Sequence, residues 1–240
     1  GGVASYTRQL VGGLARYAQE HDLGLFDLER ESRRSGVFER VLGPLPRQVS
    51  CAAPRREKLE KLDLFHAPVF SLPPRCAPSH VFTLHDLTVV SHPACHTLDN
   101  RVRTLVSTAE ALVRSSTVIA VSRATRAEAV RLLSLPEESV EILPPILDPR
   151  FTPSGSDEED GTALKRLGVD SRFCLAVASL EPRKNLDRLL DAWDVLPDRL
   201  RRQHPLVVVA SAGWLYGSLR RRLRRLQREG TVHLLAHVSG

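Results

Sequence analysis

Two adjacent cations, Arg183 and Lys184, lie in a short polar turn directly after an apolar run at residues 173–178. The run predicts a buried strand, and the pattern after the turn predicts a helix that Lys184 and Asn185 begin. Backbone N–H groups at a helix N-terminus attract anions, and fixed basic side chains strengthen that attraction. The turn therefore predicts a binding site for a phosphorylated ligand, with a solvated surface turn as the alternative.

His85 and Asp86 follow a second apolar run at residues 81–84. Ligands of parallel α/β folds bind at the carboxyl ends of strands, so both side chains are expected to face a cleft. The imidazole could exchange a hydrogen bond with a substrate hydroxyl or phosphate, and Asp86 could orient it or bind a hydroxyl. A histidine that only caps a turn is the alternative.

Glycines and one tryptophan are weaker candidates. Gly1 and Gly2 precede the first predicted helix, where paired glycines let a phosphate or a sugar approach the backbone. Gly213 and Trp214 follow a predicted strand at 206–210 and could line a cleft of the same kind. Packing is an equally good explanation for Trp214.

The predicted helix at residues 219–228 is strongly basic. Leucines at 219, 223 and 226 form one apolar stripe, and six arginines cover the rest of its surface. The pattern is typical of an amphipathic helix that packs on a sheet and leaves a basic face in solvent. Contact with anionic lipid head groups is the functional alternative. Nucleic acid is disfavoured because no aromatic side chains alternate with the charges.

Composition limits the class of protein. The 240 residues carry a formal net charge of +6, mainly from arginine, which suits phosphates and anionic surfaces. The four cysteines form no CxxC pair, and Cys174 lies inside an apolar run, which predicts a buried free thiol in a reducing cytoplasm. No apolar stretch approaches the roughly 20 residues of a membrane-spanning helix. The histidines and cysteine near residue 90 match no compact zinc pattern, so no metal site is predicted.

Short apolar runs alternate with helical patterns along the chain. This alternation predicts an α/β fold with parallel sheets covered on both faces. The predicted strands lie at 23–28, 37–42, 62–66, 81–84, 117–121, 140–143, 173–178, 206–210 and 231–235. The predicted helices lie at 5–19, 98–114, 123–133, 184–195 and 215–229, with Ser122 as the N-cap of the third.

A break in the alternation indicates a domain boundary. Prolines 144, 145 and 153 and the acidic run 157–160 interrupt the pattern near residue 150. We therefore predict two Rossmann-like, doubly wound domains at residues 1–150 and 151–240. Because the chain opens with a helical pattern, lacks an initial Met and ends soon after a strand, we expect a fragment with an incomplete second domain.

Motifs ordered along the chain resemble the retaining glycosyltransferases of family four, which have the GT-B fold, and mannosyltransferase-like members in particular. They are the glycine-rich helix start at 1–6, the strand ends at 63–66 and 84–87, the runs 118–122 and 142–151, LEPRKNLDRLLDAW, and Gly213 with Trp214. The resemblance implies an acceptor-side domain at 1–150 without its first strand, and a partial donor domain at 151–240. The implied reaction transfers a hexose such as mannose from a nucleotide-diphosphate sugar to a glycan or glycolipid.

The resemblance also implies roles for individual residues. His85 and Asp86 would act in catalysis near the transferred sugar. The donor diphosphate would be bound by Gly1, Gly2, Arg183 and Lys184. The donor base and sugar would be bound by Ser179, Gly213, Trp214, His237 and Val238. Because side-chain cations would neutralise the diphosphate, no metal or other cofactor is implied. The implied partners are a sugar nucleotide and a lipid-linked or glycan acceptor, without nucleic acid, in the cytoplasm at the inner face of the membrane.

Two residues depart from the family pattern. Ala178 and Ala210 stand where glycines are usual at the ends of donor-domain strands, and a methyl group there can narrow a phosphate pocket. The glutamate motif expected later in the donor domain is absent from the chain. A non-catalytic or degenerate nucleotide-binding fragment is therefore the alternative. A nicotinamide-dependent oxidoreductase is disfavoured because no G-x-G-x-x-G turn is present.

Overall fold

The structure is a computed structural model with two compact units. One unit comprises Gly1–Pro93 with Thr97–Phe151, and the other comprises Ala94–His96 with Thr152–Gly240. The structure describes residues 2–18, 20–26, 49–52, 59, 61–69, 79–147, 151, 157–169, 172–211, 213 and 217–235. Each unit is considered by itself.

The first unit is built on parallel strands connected through helices. Its elements are α1 (Gly2–Tyr17), β1 (Leu23–Phe26), β2 (Val49–Ala52), β3 (Leu64–Ala67), β4 (Ser79–Leu84), α2 (Thr88–Ser91), α3 (Leu98–Arg114), β5 (Thr117–Ala120), α4 (Arg123–Leu133) and β6 (Val140–Ile142). Strands β3, β4, β5 and β6 form a four-stranded sheet in chain order, and β1 pairs with β2. All of these pairs are parallel, so within each sheet the carboxyl ends of the strands lie at the same edge.

The core of the first unit lies along its central strands. Phe82 and Leu84 on β4 are fully buried and pack with residues of β3, β5, α3 and α4. The start of α4 is fixed by Ser122, whose Oγ accepts a hydrogen bond of 3.0 Å from the backbone N–H of Thr125. The predicted N-cap is therefore confirmed, and with it the position where α4 leaves the edge of the sheet.

The second unit repeats this plan with three strands. Its elements are α5 (Asp157–Arg166), β7 (Cys174–Ser179), α6 (Leu186–Asp194), α7 (Asp198–Gln203), β8 (Leu206–Ser211), α8 (Gly217–Arg228) and β9 (Val232–Leu235). The sheet order is β7-β8-β9, and both pairs are parallel. Leu219, Leu223 and Leu226 of α8 are buried against this sheet, which confirms the predicted amphipathic packing.

Three helices differ from the sequence prediction. The short helices α2 and α7 were not predicted, because four to six residues carry little periodic signal. The acidic run at 157–160 was predicted to break the structure, yet it forms the first turn of α5. The strand predicted at 37–42 lies outside the described residues.

Strand β7 was predicted to be buried on both faces, and that prediction is wrong. Ala176 and Ala178 pack against the core of the second unit, whereas Leu175 is 58% exposed and Val177 is 70% exposed. Cys174 at the start of the strand is an exposed free thiol rather than a buried one. Side chains alternate between the faces of a strand, so a continuous apolar run does not reveal that only one face is packed.

Candidate functional site

Polar side chains gather at the carboxyl edge of the first unit's sheet. His66 is near the end of β3, Thr83 near the end of β4, and His85 directly follows β4. Tyr6 on the first turns of α1 joins them. The parallel arrangement of β3 and β4 is what brings these side chains together from distant parts of the chain.

The imidazole of His85 is held in a defined orientation. Its Nε2 lies 2.8 Å from the carbonyl oxygen of Pro68, and its ring meets the ring of Tyr6 edge-on at a centroid distance of 5.1 Å. A carbonyl oxygen can only accept, so Nε2 carries a proton.

Behind His85, a buried chain of hydrogen-bonding groups connects β3, β4 and α1. His66 Nε2 is 2.8 Å from Thr83 Oγ1, and Tyr6 Oη is 3.5 Å from the same oxygen. Burial lowers the pKa of His66 from its usual 6.5 to about 4, so the ring is neutral at physiological pH. Sequence reasoning did not select His66 or Thr83 as site residues. The sequence feature that could have identified them is a polar residue near the end of each of two adjacent strands.

Asp86 has a local structural partner. Its Oδ1 accepts hydrogen bonds from the backbone N–H of Thr88 at 3.0 Å and from the Thr88 hydroxyl at 2.6 Å. These contacts fix the start of α2, as an Asx turn does. The backbone carbonyl of His85 accepts a 3.2 Å hydrogen bond from Thr125 Oγ1, which ties the same segment to α4. The catalytic roles of His85 and Asp86 stay predictions.

In the second unit, the cationic turn is not the start of a helix. Residues Pro182–Lys184 form one 3₁₀ turn, Asn185 has φ of 55°, and α6 begins at Leu186. The prediction that Lys184 and Asn185 open the helix is therefore wrong. A left-handed residue interrupts the helical path, and asparagine tolerates that conformation better than most residues.

Glu181 is the central residue of this turn, and sequence reasoning missed it. It is only 3% exposed, and its carboxylate accepts hydrogen bonds from Ser179 Oγ and from Arg183. Arg183 Nε lies 2.7 Å from Glu181 Oε2, and Arg183 Nη2 lies 3.4 Å from Oε1. The charge of Arg183 is thus balanced by a buried carboxylate. The sequence feature that could have identified Glu181 is its position two residues before an arginine in a polar turn.

Lys184 differs from Arg183 in its surroundings. Its side chain is exposed, and it forms no ion pair with a residue in the described ranges. Among the described residues, the turn therefore presents the Lys184 cation without a carboxylate partner, beside the ion pair of Arg183 and Glu181.

Gly213 contacts the same turn through its backbone. A Cβ at this position would lie 2.1 Å from the carbonyl oxygen of Leu180, so only glycine fits. Gly213 also follows β8, whose Ser211 carbonyl accepts a 3.0 Å hydrogen bond from the N–H of Leu180. The structure thus brings Ser179, Arg183 and Gly213 together around Glu181.

Other predicted site residues are placed differently. Gly2 is the exposed first residue of α1, and a Cβ there would meet open space. Four further predicted residues lie outside the described part of the chain: Gly1, Trp214, His237 and Val238. The ligand-binding roles of all these residues stay predictions.

The two alanines that replace family glycines face the core. Ala210 is 6% exposed and belongs to the apolar cluster beneath α6 and α8, and Ala178 packs against that cluster. The two residues are paired across β7 and β8. Their methyl groups therefore add to packing within the second unit.

Two further properties concern only the described residues. Within these ranges, no three His, Cys, Asp or Glu side chains converge in a way that could hold a metal ion. None of the helices found there combines the length and hydropathy needed to cross a membrane.

Comparison with known proteins identifies relatives along the whole chain. The sequence pattern of Glycosyltransferase Family 4 matches residues 1–151. The chain is 28% identical to O-antigen chain mannosyltransferase B of Escherichia coli over 99% of its own length and 68% of the relative's. It is 25% identical to the serotype-specific mannosyltransferase WbdA of Escherichia coli, over 40% of this chain and 12% of that protein.

Solved structures resemble the fold. Anabaena HepE in complex with UDP-glucose has a TM-score of 0.66 at 19% identity, over 98% of this chain and 66% of that one. WaaG, a glycosyltransferase involved in lipopolysaccharide biosynthesis, has a TM-score of 0.62 at 15% identity, over 98% of this chain and 66% of that one. The chain thus spans about two thirds of the length of these proteins.

These likenesses confirm two predictions. The α/β fold of GT-B type is confirmed by the parallel sheets of both units and by the solved glycosyltransferases that match them. The predicted family is confirmed by a pattern that covers more than half of the chain. This chain belongs to glycosyltransferase family 4.

Proposed function

We propose that the protein transfers a hexose, with mannose as the favoured sugar, from a nucleotide-diphosphate sugar to a glycan or lipid-linked acceptor. We further propose that the anomeric configuration is retained and that no metal ion takes part. The observation that carries the proposal is the turn after β7, where exposed Lys184 stands beside the Arg183–Glu181 pair. In a family 4 chain, such a turn is suited to a diphosphate.

The chemistry of this turn follows from where charge develops. As the bond between the anomeric carbon and the phosphate oxygen breaks, negative charge grows on the leaving diphosphate. The Lys184 ammonium would stabilise that charge directly, and Arg183 would donate directed hydrogen bonds to it. Fixed cations of this kind perform the role that a divalent metal has in other transferases.

For the first unit we propose a role of its own, contact with a sugar. His85 is oriented by Pro68 and Tyr6, so its imidazole could contact a sugar hydroxyl in one defined orientation. The neutral His66 and Thr83 would hold the floor of this region in one hydrogen-bonding pattern. Buried, mutually bonded groups position a site better than exposed ones because few other arrangements are available to them.

The comparisons support the choice of substrate class. A relative that aligns with 99% of the chain is named as an O-antigen mannosyltransferase, and the fold of HepE was solved with UDP-glucose. A nucleotide-activated mannose and UDP-glucose are therefore both worth testing as donors. The nucleotide base stays open in this proposal.

We also propose that the protein works at the cytoplasmic face of the membrane, attached through α8. Arg222 of α8 lies 2.7 Å from both Asp191 and Asp194, and Arg225 lies 3.7 Å from Asp194. These two arginines are therefore neutralised by α6.

The other four arginines of α8 form a separate surface. They are exposed and form no ion pair with any carboxylate in the described ranges: Arg220, Arg221, Arg224 and Arg228. At about 100° per residue they fall within roughly 100° of helix arc, away from the buried leucines. A row of free arginines is complementary to anionic lipid head groups, where each contributes to binding. We name these four residues the free arginine face.

Transfer and binding assays on the full-length protein test the main proposal. Calorimetry with GDP-mannose, UDP-glucose, GDP and UDP should show binding of at least one pair. Incubation of that sugar nucleotide with lipid-linked glycan acceptors should then release the nucleoside diphosphate and extend the acceptor by one hexose. Binding without any transfer would favour the non-catalytic alternative, and absence of binding would contradict both.

A further inference from the structure

Glu181 is a charged residue in a place where a charge is costly. It is 3% exposed, and an ionised carboxylate in such surroundings is stable only when hydrogen-bonded and paired. Both requirements are met locally, by the Ser179 hydroxyl and the Arg183 guanidinium. Removal of the carboxylate would therefore leave both donors without this partner.

The backbone around Glu181 has little freedom. The N–H of Glu181 donates to the Ser179 carbonyl at 2.9 Å, and its own carbonyl accepts from the N–H of Lys184 at 3.1 Å. The backbone of Gly213 lies directly against the carbonyl group of Leu180, the residue before Glu181. A carboxylate held this firmly can define the direction of an arginine that lies closer to the surface.

Arg183 extends from the buried carboxylate of Glu181 toward the surface of the turn. A guanidinium has five N–H donors in a fixed plane, and the Glu181 contacts use Nε and Nη2. The side chain of Arg183 is 29% exposed, against 3% for Glu181. The guanidinium thus lies between a buried carboxylate and the surface of the turn.

We propose that Glu181 is a positioning residue: it aligns the guanidinium of Arg183 toward the leaving diphosphate, while Lys184 supplies the net positive charge. This inference rests on the proposed function. Glu181 itself touches no substrate. Its effect is expected on the rate of transfer, because a misaligned guanidinium loses directed hydrogen bonds that matter most when charge develops.

A double-mutant cycle on the full-length enzyme tests the inference. Glu181→Gln keeps the size of the side chain and removes its charge, and Arg183→Lys keeps the cation and removes the planar fork. We expect each to lower kcat at least ten-fold, the size expected for loss of a charge-assisted hydrogen bond, with KM changed less than about three-fold. The double variant should be no slower than Arg183→Lys alone, because both changes remove one interaction. The inference would be overturned if the loss of kcat in the double variant equalled the product of the losses in the two single variants. An unchanged kcat in Glu181→Gln would also overturn it.

Asp191→Asn provides the matched control. Asp191 also pairs with an arginine, Arg222, but is 68% exposed and lies on α6. The same chemical change there should leave kcat unaltered. If Asp191→Asn slows the reaction as much as Glu181→Gln does, general loss of charge explains the result and the positioning role is rejected.

A readout without turnover keeps the inference separate from the proposed function. The Nε–H of Arg183 should give a protected resonance in ¹H–¹⁵N spectra, assigned by its absence in Arg183→Lys. We expect this resonance to collapse or exchange rapidly in Glu181→Gln and to persist in Asp191→Asn. Persistence in Glu181→Gln would refute the alignment even if the enzyme were inactive. A collapsed resonance in a protein that transfers no sugar would instead count against the proposed function alone.

Discussion

His66 Nε2 lies 2.8 Å from Thr83 Oγ1, across the parallel pair of β3 and β4. Thr83 is fully buried, and burial holds the pKa of His66 at about 4. The two side chains therefore form a neutral, largely buried hydrogen bond, and Tyr6 contacts both Thr83 and His85. Protonation of His66 would place an uncompensated charge in this enclosed position.

The pKa of His66 predicts a pH-dependent stability. The unfolded chain binds a proton near pH 6.5 and the folded protein only near pH 4, so unfolding is favoured as pH falls between these values. The free energy of unfolding should lose at most about 3 kcal/mol from this residue over that window, and nothing further below it. Urea unfolding at pH 7.5 and pH 4.5 measures the effect.

The matched variant for this experiment is His66→Gln. Glutamine can still hydrogen-bond to Thr83 but does not titrate in this range. Subtracting its pH response from that of the wild type isolates His66 from the other histidines. Identical pH responses in the two proteins would mean that His66 is not a neutral buried base.

Gly213→Ala should damage the second unit. The new Cβ would lie 2.1 Å from the Leu180 carbonyl oxygen, so the loop or the turn at Glu181 must move. We expect a loss of about 2 kcal/mol or more in stability, together with loss of nucleotide binding. Thermal unfolding and calorimetry with UDP and GDP report the two effects.

Gly161→Ala is the control for this change. Gly161 lies within α5, and a Cβ there would meet nothing within 4 Å. Alanine in a helix is favoured over glycine, so stability should rise by about 0.5–1 kcal/mol. A Gly213→Ala protein as stable as Gly161→Ala would contradict the close approach of Gly213 to the turn.

Lys184→Ala should weaken binding of the nucleoside diphosphate by about ten- to a hundred-fold, the effect of losing one charge-assisted contact. Glu181 already balances Arg183, so Lys184 carries the net charge of the turn. Calorimetry with GDP and UDP, repeated at high salt, measures the change. Lys165→Ala removes another exposed lysine of the same unit and should bind as the wild type does. Equal affinities in all three proteins would rule out the diphosphate role of Lys184.

The free arginine face predicts selective binding to anionic bilayers. Arg220→Gln with Arg224→Gln should lower binding to phosphatidylglycerol-containing vesicles about ten-fold or more, because each basic residue contributes several-fold. Co-sedimentation with anionic and with purely phosphatidylcholine vesicles measures this, and added salt should reduce it.

The control for the free arginine face has the same change in charge. Arg222→Gln with Arg225→Gln removes two arginines that already pair with α6, so vesicle binding should fall less than about three-fold. If both double variants lose binding equally, total charge rather than this face is responsible. Preference for RNA over vesicles in the same assay would instead assign the face to nucleic acid.

Most of the secondary structure was predictable from local pattern. Helix α3 has the predicted bounds, and the Ser122 cap was expected from its residue type and position. Such features depend on neighbours within a few residues, which a sequence displays directly. Burial of β7 was not predictable, since it depends on which elements cover each face.

The sequence by itself determined the family, the parallel α/β plan and the position of polar side chains at the ends of two strands. It also showed that Arg183 and Lys184 are adjacent, but not that they differ. Only the tertiary structure decided that Glu181 is buried and paired with Arg183, and that Lys184 has no ion-pair partner among the residues that the structure describes. The physical reason is that the energy of a charge depends on its solvation as well as on its partners. The partners of Glu181 are neighbours in sequence, whereas its burial depends on how the chain folds around the turn, where the distant Gly213 lies against Leu180.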